Sequence, residues 1–391
     1  MNYILFDGVS RDNLLPFTYT RPVAAIRIGI LTIKEKWEKL LGTTVTCLTE
    51  EYLEKKFPMV EFEENVYLDA SIIPTEKLAE EISFLDENQA ILSNDDMIAF
   101  YASQNQEEVN FNSYQFIEFK EELIKLDQLT DIFSNNYKAI ALDFELVTEG
   151  RKSKSISTTN NIIGEESIFI EEGAVLEFVT INASEGPVYI GKDALIMEGS
   201  MIRGPFSIGE KSVVKMGAKI YGGTTIGPNC TVGGEIKNVV MFGNSNKGHD
   251  GYLGNSVVGE YCNLGADTNC SNMKNNHSSV KIWGYKERDF MDSGMQFCGL
   301  FLGDYSKLAI NTMINTGTVI GVSTNVFGTG FPRKFIPSFS WGAVDKSTTY
   351  VLEKAIEDAK KMCKLKKQSF SDLDSDILHS IFKESSEFRE S

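Results

Sequence analysis

Set out in sixes, residues 190–233 read IGKDAL IMEGSM IRGPFS IGEKSV VKMGAK IYGGTT IGPNCT VG, and every block opens on Ile or Val. An earlier run (Ile163, Phe169, Val175, Ile181) and a later one (Leu302, Leu308, Ile314, Ile320, Val326) keep the same step. A period of six matches neither the 3.6 of a helix nor the 2 of an ordinary strand. It matches a parallel β-helix, in which each six-residue unit makes one short strand and one turn and sends its aliphatic residue into a prism-shaped core. Chance spacing in an all-β sandwich is the competing reading, and eight consecutive hits at one step argue against it. The beat breaks between Ile181 and Ile190, between Val232 and Leu253, and over the excursion from Met273 to Phe301. In a solenoid such breaks are expected to become loops on one face, where binding sites are built.

Working outward, the chain divides unevenly. Residues 1–150 hold 4 of the 32 glycines and carry 28 acidic against 12 basic side chains; the remainder carries 27 against 26. Two shifts at one place set a domain boundary within Gly150 to Asn161, giving 1–155, 156–344 and a C-terminal helical tail at 345–391. A net charge of −17 argues against nucleic acid or an anionic membrane as partner, since phosphate backbones need clustered Lys and Arg. No run approaches 18 uninterrupted apolar residues, so no membrane span is expected. Met1 to Asp7 lacks a basic leader, and the six cysteines have no C-x-x-C pairing, which together point to the reducing cytoplasm.

The first 150 residues alternate short apolar runs with amphipathic stretches, an α/β pattern. Tyr3 to Phe6 reads as a buried strand. Ile33 to Leu41 reads as a helix with Thr32 and Glu35 as capping box and Gly42 as its stop. Ligands of such sheets bind past the carboxyl ends of the strands. That singles out the loop from Asp7 to Arg27 and the turn Ser93-Asn94-Asp95-Asp96. Arg11, Arg21 and Arg27 are candidate nucleotide-phosphate ligands, because guanidinium binds phosphate bidentately. Asp95 is a candidate Mg²⁺ ligand, because that ion is held by one or two carboxylates plus substrate phosphates. The segment Leu15-Pro16-Phe17-Thr18-Tyr19-Thr20-Arg21-Pro22-Val23 resembles the opening of sugar nucleotidyltransferases. Ser10 to Asn13 stands where that family carries its Gly-rich loop, and Val23 where it carries a lysine.

Downstream, His249, Tyr252 and Gly254, followed by Asn263-Leu264-Gly265-Ala266, match H-x-x-Y-x-G-D and G-x-x-x-N-[IL]-G-A-G. On these motifs the chain resembles a divergent branch of the bifunctional UDP-N-acetylglucosamine pyrophosphorylase and glucosamine-1-phosphate N-acetyltransferase family. The resemblance implies a nucleotidyltransferase-like, Rossmann-like domain followed by a left-handed parallel β-helix of hexapeptide repeats, assembled as a homotrimer. It implies acetyl-CoA as co-substrate, with an amino-sugar 1-phosphate and a nucleoside triphosphate such as UTP as the other substrates. His249 takes the part of the base that accepts the amine proton, a task suited to imidazole at neutral pH. Lys237 and Tyr252 take the parts of sugar-phosphate ligands, Asn263 and Asn272 of sugar ligands. Gly265 and Ala266 take the parts that meet acetyl-CoA, with backbone amides aimed at the thioester carbonyl. Asn255 replaces the aspartate of the first motif and Asp267 the last glycine of the second.

Two other functions fit the same residues. One keeps only nucleotidyl transfer, with the β-helix as an oligomerisation platform. The other is a catalytically silent trimeric scaffold that binds sugar nucleotides without turnover.

Overall fold

The computed structural model describes residues 1–103, 110–342 and 346–389. It contains two compact units: residues 1–26 with 31–128, and residues 27–30 with 129–391. The division at Gln128 and Leu129 lies before the compositional shift at Gly150 to Asn161. The helices Leu129–Ser134 and Asn136–Thr148 belong to the second unit, and one buried side chain accounts for much of that. Asn136 donates to the carbonyl of Gly223 (2.7 Å) and to Thr225 Oγ1 (3.0 Å), and accepts from the backbone N–H of Gly29 (2.7 Å). Composition registers charge and glycine, whereas compactness follows contacts of this kind.

In the first unit, a mixed six-stranded sheet runs Thr46–Leu48, Asn2–Phe6, Glu64–Asp69, Asp96–Ser103, Gln89–Ser93, Gln115–Glu118. The first three strands are parallel; Asp96–Ser103 enters antiparallel. The expected helix forms as Ile33–Leu41, with both capping-box bonds present and Gly42 left-handed at φ 64°. Its Ile33, Lys36 and Trp37 are buried.

In the second unit the hexads close into a parallel β-solenoid with three walls. Wall A carries Ile168–Ile170, Val188–Ile190, Phe206–Ile208 and Thr224–Ile226 in parallel register. Wall B carries Val175–Leu176, Leu195–Ile196, Val213–Val214 and Thr231–Val232. Wall C carries Asn161–Ile163, Thr180–Asn182, Met201–Arg203 and Lys219–Tyr221. From Ile181 onward the aliphatic of each six points inward, whereas in the earlier run Ile163 and Val175 are exposed and Ile162, Ile170 and Leu176 take the inward places. Together the inward residues form one buried cluster running from Ile168 to Val326.

The break after Val232 is not an insertion. The interior residues run Val232 (wall B), Ile236 (C), Met241 (A), Lys247 (B), Leu253 (C) and Val258 (A), so the turns here are shorter, not longer. The strands Glu235–Gly243 and Tyr252–Glu260 run through the corner between walls C and A, and each bends at a single left-handed asparagine, Asn238 (φ 53°) and Asn255 (φ 46°). Asparagine tolerates that conformation better than other non-glycine residues. The excursion after Cys270 is an antiparallel hairpin, Lys281–Gly284 with Asp289–Asp292. The tail forms helices Leu352–Leu365, Asp372–Glu384 and Ser386–Arg389. The first buries Ala355, Ile356, Ala359 and Cys363, and Lys366 beyond it donates to the Asn229 carbonyl and to Asn246 Oδ1, both at 2.7 Å. Among the described residues no helix is long and apolar enough to cross a membrane.

Candidate functional site

The corner joining wall B to wall C lacks bulky apolar side chains over three successive turns. It holds Gly233-Gly234, then Gly248-His249-Asp250-Gly251, then Gly265-Ala266-Asp267-Thr268. These turns are stacked by Gly233 N–H to Lys247 O (2.8 Å), Glu235 N–H to Gly251 O (3.2 Å) and Asp267 N–H to Asp250 O (3.1 Å). The tight stacking explains the glycines: a Cβ on Gly251, at φ 118°, would come 2.2 Å from Thr268 O. Bulky apolar residues stand at the equivalent position of other turns, Met216 and Ile310 at 70% and 67% exposure. His249 is exposed within the notch between them, and its ring makes no hydrogen bond among the described residues. An imidazole with both nitrogens open is available to take a proton.

On wall C beside this corner, Lys237 and Tyr252 lie on adjacent turns, with Lys237 opposite Gly254 and Tyr221. Lys237 is exposed, its ammonium 6.0 Å from the Tyr221 ring centre. Tyr252 is half-buried, and burial pushes its phenol up to about 12. Its ring lies over Gly254, where a Cβ would sit 2.2 Å from the hydroxyl. Asn272 donates to the Tyr252 hydroxyl (2.9 Å) and to Asn255 Oδ1 (2.8 Å). Asn255 in turn donates to Asn238 Oδ1 (3.0 Å), which, oriented as its neighbours require, donates to Phe133 O (2.8 Å) and Gly223 O (3.1 Å). Asn272 thus tops an asparagine ladder that fixes the wall C to wall A corner. Sequence reasoning singled out Asn272 and Tyr252 separately and missed the ladder joining them; the recurrence of Asn238, Asn255 and Asn272 was its only signal.

His249, Gly265 and Ala266 therefore share one corner, and Lys237, Tyr252 and Asn272 the adjoining wall. Asn263 lies elsewhere: it is on wall B between Asn246 and Lys307. The Gly265 N–H is used in the solenoid ladder, bonded to Leu308 O at 2.9 Å, whereas the Ala266 N–H has no partner among the described residues. Of the two, Ala266 is the open donor.

The nucleotide-binding candidates are differently placed. Arg11 is buried and bonds Asp7 (2.9 Å), Thr18 O (2.8 Å) and the Tyr52 hydroxyl (2.9 Å). Asp7 also accepts from Val23 N–H (2.7 Å) and Thr49 (2.5 Å), and burial nonetheless holds its carboxyl above the usual range. Arg21 is buried too. Arg27 belongs to the second unit, donating to Phe242 O (2.9 Å) and Ile30 O (2.5 Å). The three arginines do not form one exposed cationic loop. Asp95 sits with Asn94 in the two-residue turn of the Gln89–Ser93 and Asp96–Ser103 hairpin, both at positive φ (50° and 67°). That is the conformation a type I′ turn demands of its central pair. Asp96 is paired with Lys125 at 2.5 Å. Among the described residues no three His, Cys, Asp or Glu side chains are grouped to hold a metal, and a Mg²⁺ ion at Asp95 would draw its other ligands from substrate phosphates and water.

Residues 3–152 match the family model described as sugar nucleotidyl transferase. A bifunctional sugar-1-phosphate nucleotidylyltransferase/acetyltransferase of Sulfurisphaera tokodaii is 31% identical over 93 residues, 24% of this chain and 23% of that protein. The bifunctional protein GlmU of Wigglesworthia glossinidia brevipalpis is 34% identical over 95 residues, 24% of this chain and 17% of its own length. The chain thus spans less than a quarter of the length of either relative. Among solved structures, Francisella novicida UDP-N-acetylglucosamine acyltransferase is 13% identical, covering 59% of this chain and 90% of its own, with a TM-score of 0.31. By sequence, residues 3–152 match the sugar nucleotidyl transferase family model, in a chain that resembles the bifunctional nucleotidylyltransferase/acetyltransferases over about a quarter of its length.

Proposed function

We propose that the protein is a transferase of sugar-nucleotide synthesis that moves an acetyl group from acetyl-CoA to an amino-sugar 1-phosphate at the solenoid corner. The observation that carries this reading is His249 itself, exposed with both ring nitrogens open in a notch of Gly and Ala, beside Lys237 and Tyr252. The substrate amine attacks the thioester carbonyl, and His249 accepts the proton the nitrogen sheds. Collapse of the tetrahedral intermediate expels the CoA thiolate, which His249 can reprotonate. The Ala266 N–H stabilises the oxyanion between these steps, and Lys237 neutralises the sugar phosphate. Glucosamine 1-phosphate is the acceptor we assign first, and a homotrimer the working assembly. Exposed Phe178, Met216 and Ile310, all at the same corner of their turns as His249, give copies of the chain an apolar edge to share. We place the nucleotidyl-transfer step, with UTP, in residues 3–152. The engaged state of Arg11 favours the solenoid as the half to assay first.

The test is release of free thiol from acetyl-CoA on adding glucosamine 1-phosphate, run beside release of pyrophosphate from UTP with N-acetylglucosamine 1-phosphate. Thiol release supports the reading. Its absence with every amino-sugar phosphate tried discards acetyl transfer, and pyrophosphate release alone leaves a nucleotidyltransferase on a β-helical platform.

A further inference from the structure

Wall B presents one inward residue per turn: Val214, Val232, then Lys247, then Leu264 and Leu308. Lys247 pairs in register with Val232, follows the same inward path as its aliphatic neighbours, and is 1% exposed. An ammonium in an apolar interior is strongly disfavoured unless its head group is satisfied. Its Nζ donates to the backbone carbonyl of His249 at 2.5 Å, at the edge of the core where the corner begins. The carboxylates that act on it through space are those of Asp250 and Asp267, the acids of that same corner. Two of the four residues in the turn it grips, Gly248 and Gly251, lack side chains, and Gly251 sits at φ 118°.

We propose that Lys247 is a positioning residue: from inside the solenoid it holds the His249 carbonyl and fixes the Gly248–Gly251 turn, so that the imidazole is presented in one orientation at the corner. An aliphatic residue here would fill the core as the adjoining turns do, yet leave the turn anchored only by backbone bonds and two glycines. Burial pushes the ammonium down to about 8, so at neutral pH the grip is that of a cation on a carbonyl. The catalytic part of this inference rests on the reading of His249 as base; the conformational part does not.

Lys247→Met in the full-length protein removes the charge at nearly constant length and volume. Deuterium exchange followed by mass spectrometry reads the turn. The amides of Glu235 and Asp267, which are bonded to the turn's Gly251 and Asp250 carbonyls, are expected to exchange at least tenfold faster in the variant, while residues 206–226 on the earlier turns stay as in the wild type. If exchange at Glu235 and Asp267 is unchanged, the strut is overturned whatever catalysis does. In the thiol-release assay kcat is expected to fall at least tenfold with the KM for acetyl-CoA held, and the thermal midpoint not to drop. A core residue of purely structural importance would lose stability along with activity. Faster exchange with full kcat would overturn the positioning role in catalysis. If the wild type itself releases no thiol, acetyl transfer fails as a reading while the exchange result still decides the strut. Should Lys247→Met not fold, Lys247→Leu, which repeats the residue of the following turn, carries the same measurements.

Discussion

The loop after the first strand and the corner that carries His249 are both the places where their folds put ligands, and they treat their polar groups in opposite ways. In the loop, Arg11 is surrounded by Asp7, Thr18 O and the Tyr52 hydroxyl, and Asp7 by Arg11, Thr49 and the Val23 amide. Charge answers charge inside the protein. At the corner, His249 and the Ala266 amide have no such partners among the described residues, and glycines keep side chains out of their way. Satisfied polar groups stabilise and specify a loop; open ones beside a notch are what a reaction needs. A cationic sequence is therefore not a cationic surface, and the absence of side chains can mark a site better than their presence.

The largest effect that would break the comparison belongs to His249. His249→Ala is expected to lower kcat for thiol release by about 10²–10⁴-fold, the range for loss of a positioned general base. Its melting temperature should stay within a degree or so of wild type, since the ring is exposed and unbonded. Full activity in the variant would remove histidine from the mechanism and reduce the corner to a turn. Next comes Arg11. Because Arg11 and Asp7 are buried together, Arg11→Met leaves a carboxylate without its cation, which costs about 3–5 kcal/mol. Urea unfolding should show that loss. If stability holds and nucleotide affinity falls instead, the loop is a phosphate site after all.

How much of the molecule was legible follows from what each residue advertises. The three walls were, because Ile and Val at a fixed step of six suit a triangular coil and neither a helix nor a flat strand. The compressed turns after Val232 were not. Their interior includes Met241, Lys247 and, on the next turn, Cys270, which a search for aliphatics passes over. Ile236, Leu253 and Val258 fall off the six-residue step because the corners shrink to single asparagines. An apparent insertion was a change of phase. His249 was found through a short motif, and Lys247 missed because a polar residue in an apolar register reads as an interruption. The Asn94-Asp95 pair reads in sequence both as a turn and as a metal ligand, and its backbone angles show the turn.

A smaller effect sharpens the contrast between buried and open charge through pH. Lys247 binds its proton less tightly folded than unfolded, because burial lowers its value from the ordinary 10.5 to about 8. Below pH 8 both states are protonated and the penalty of the buried ammonium is fully present. Between about 8 and 10.5 the unfolded chain keeps a proton the folded one has released, so stability rises with pH, by about 3 kcal/mol across the window. Lys247→Met lacks this term. Its stability advantage over wild type should therefore be greatest at pH 7 and shrink steadily toward pH 10, as followed by urea unfolding at each pH. A constant gap would mean that the ammonium is hydrated and not held in the core.

The smallest expected effect is at Lys237, where the open surface is only weakly organised. Its ammonium stands 6.0 Å from the Tyr221 ring centre and is otherwise exposed to water, so it neutralises a phosphate without being fixed to it. A solvated charge of this kind contributes at most about 1 kcal/mol, roughly a fivefold step in affinity. Lys237→Ala should raise the KM for the sugar phosphate about fivefold and leave kcat alone. Tyr221→Leu, which removes only the ring beneath the cation, should change the same KM about twofold, the scale of an exposed cation–π contact. If Lys237→Ala lowers kcat instead, the lysine acts on the reacting atoms and the division of labour between wall C and the His249 corner is wrong. Binding by the wall and proton transfer at the corner predicts that the two kinetic constants separate.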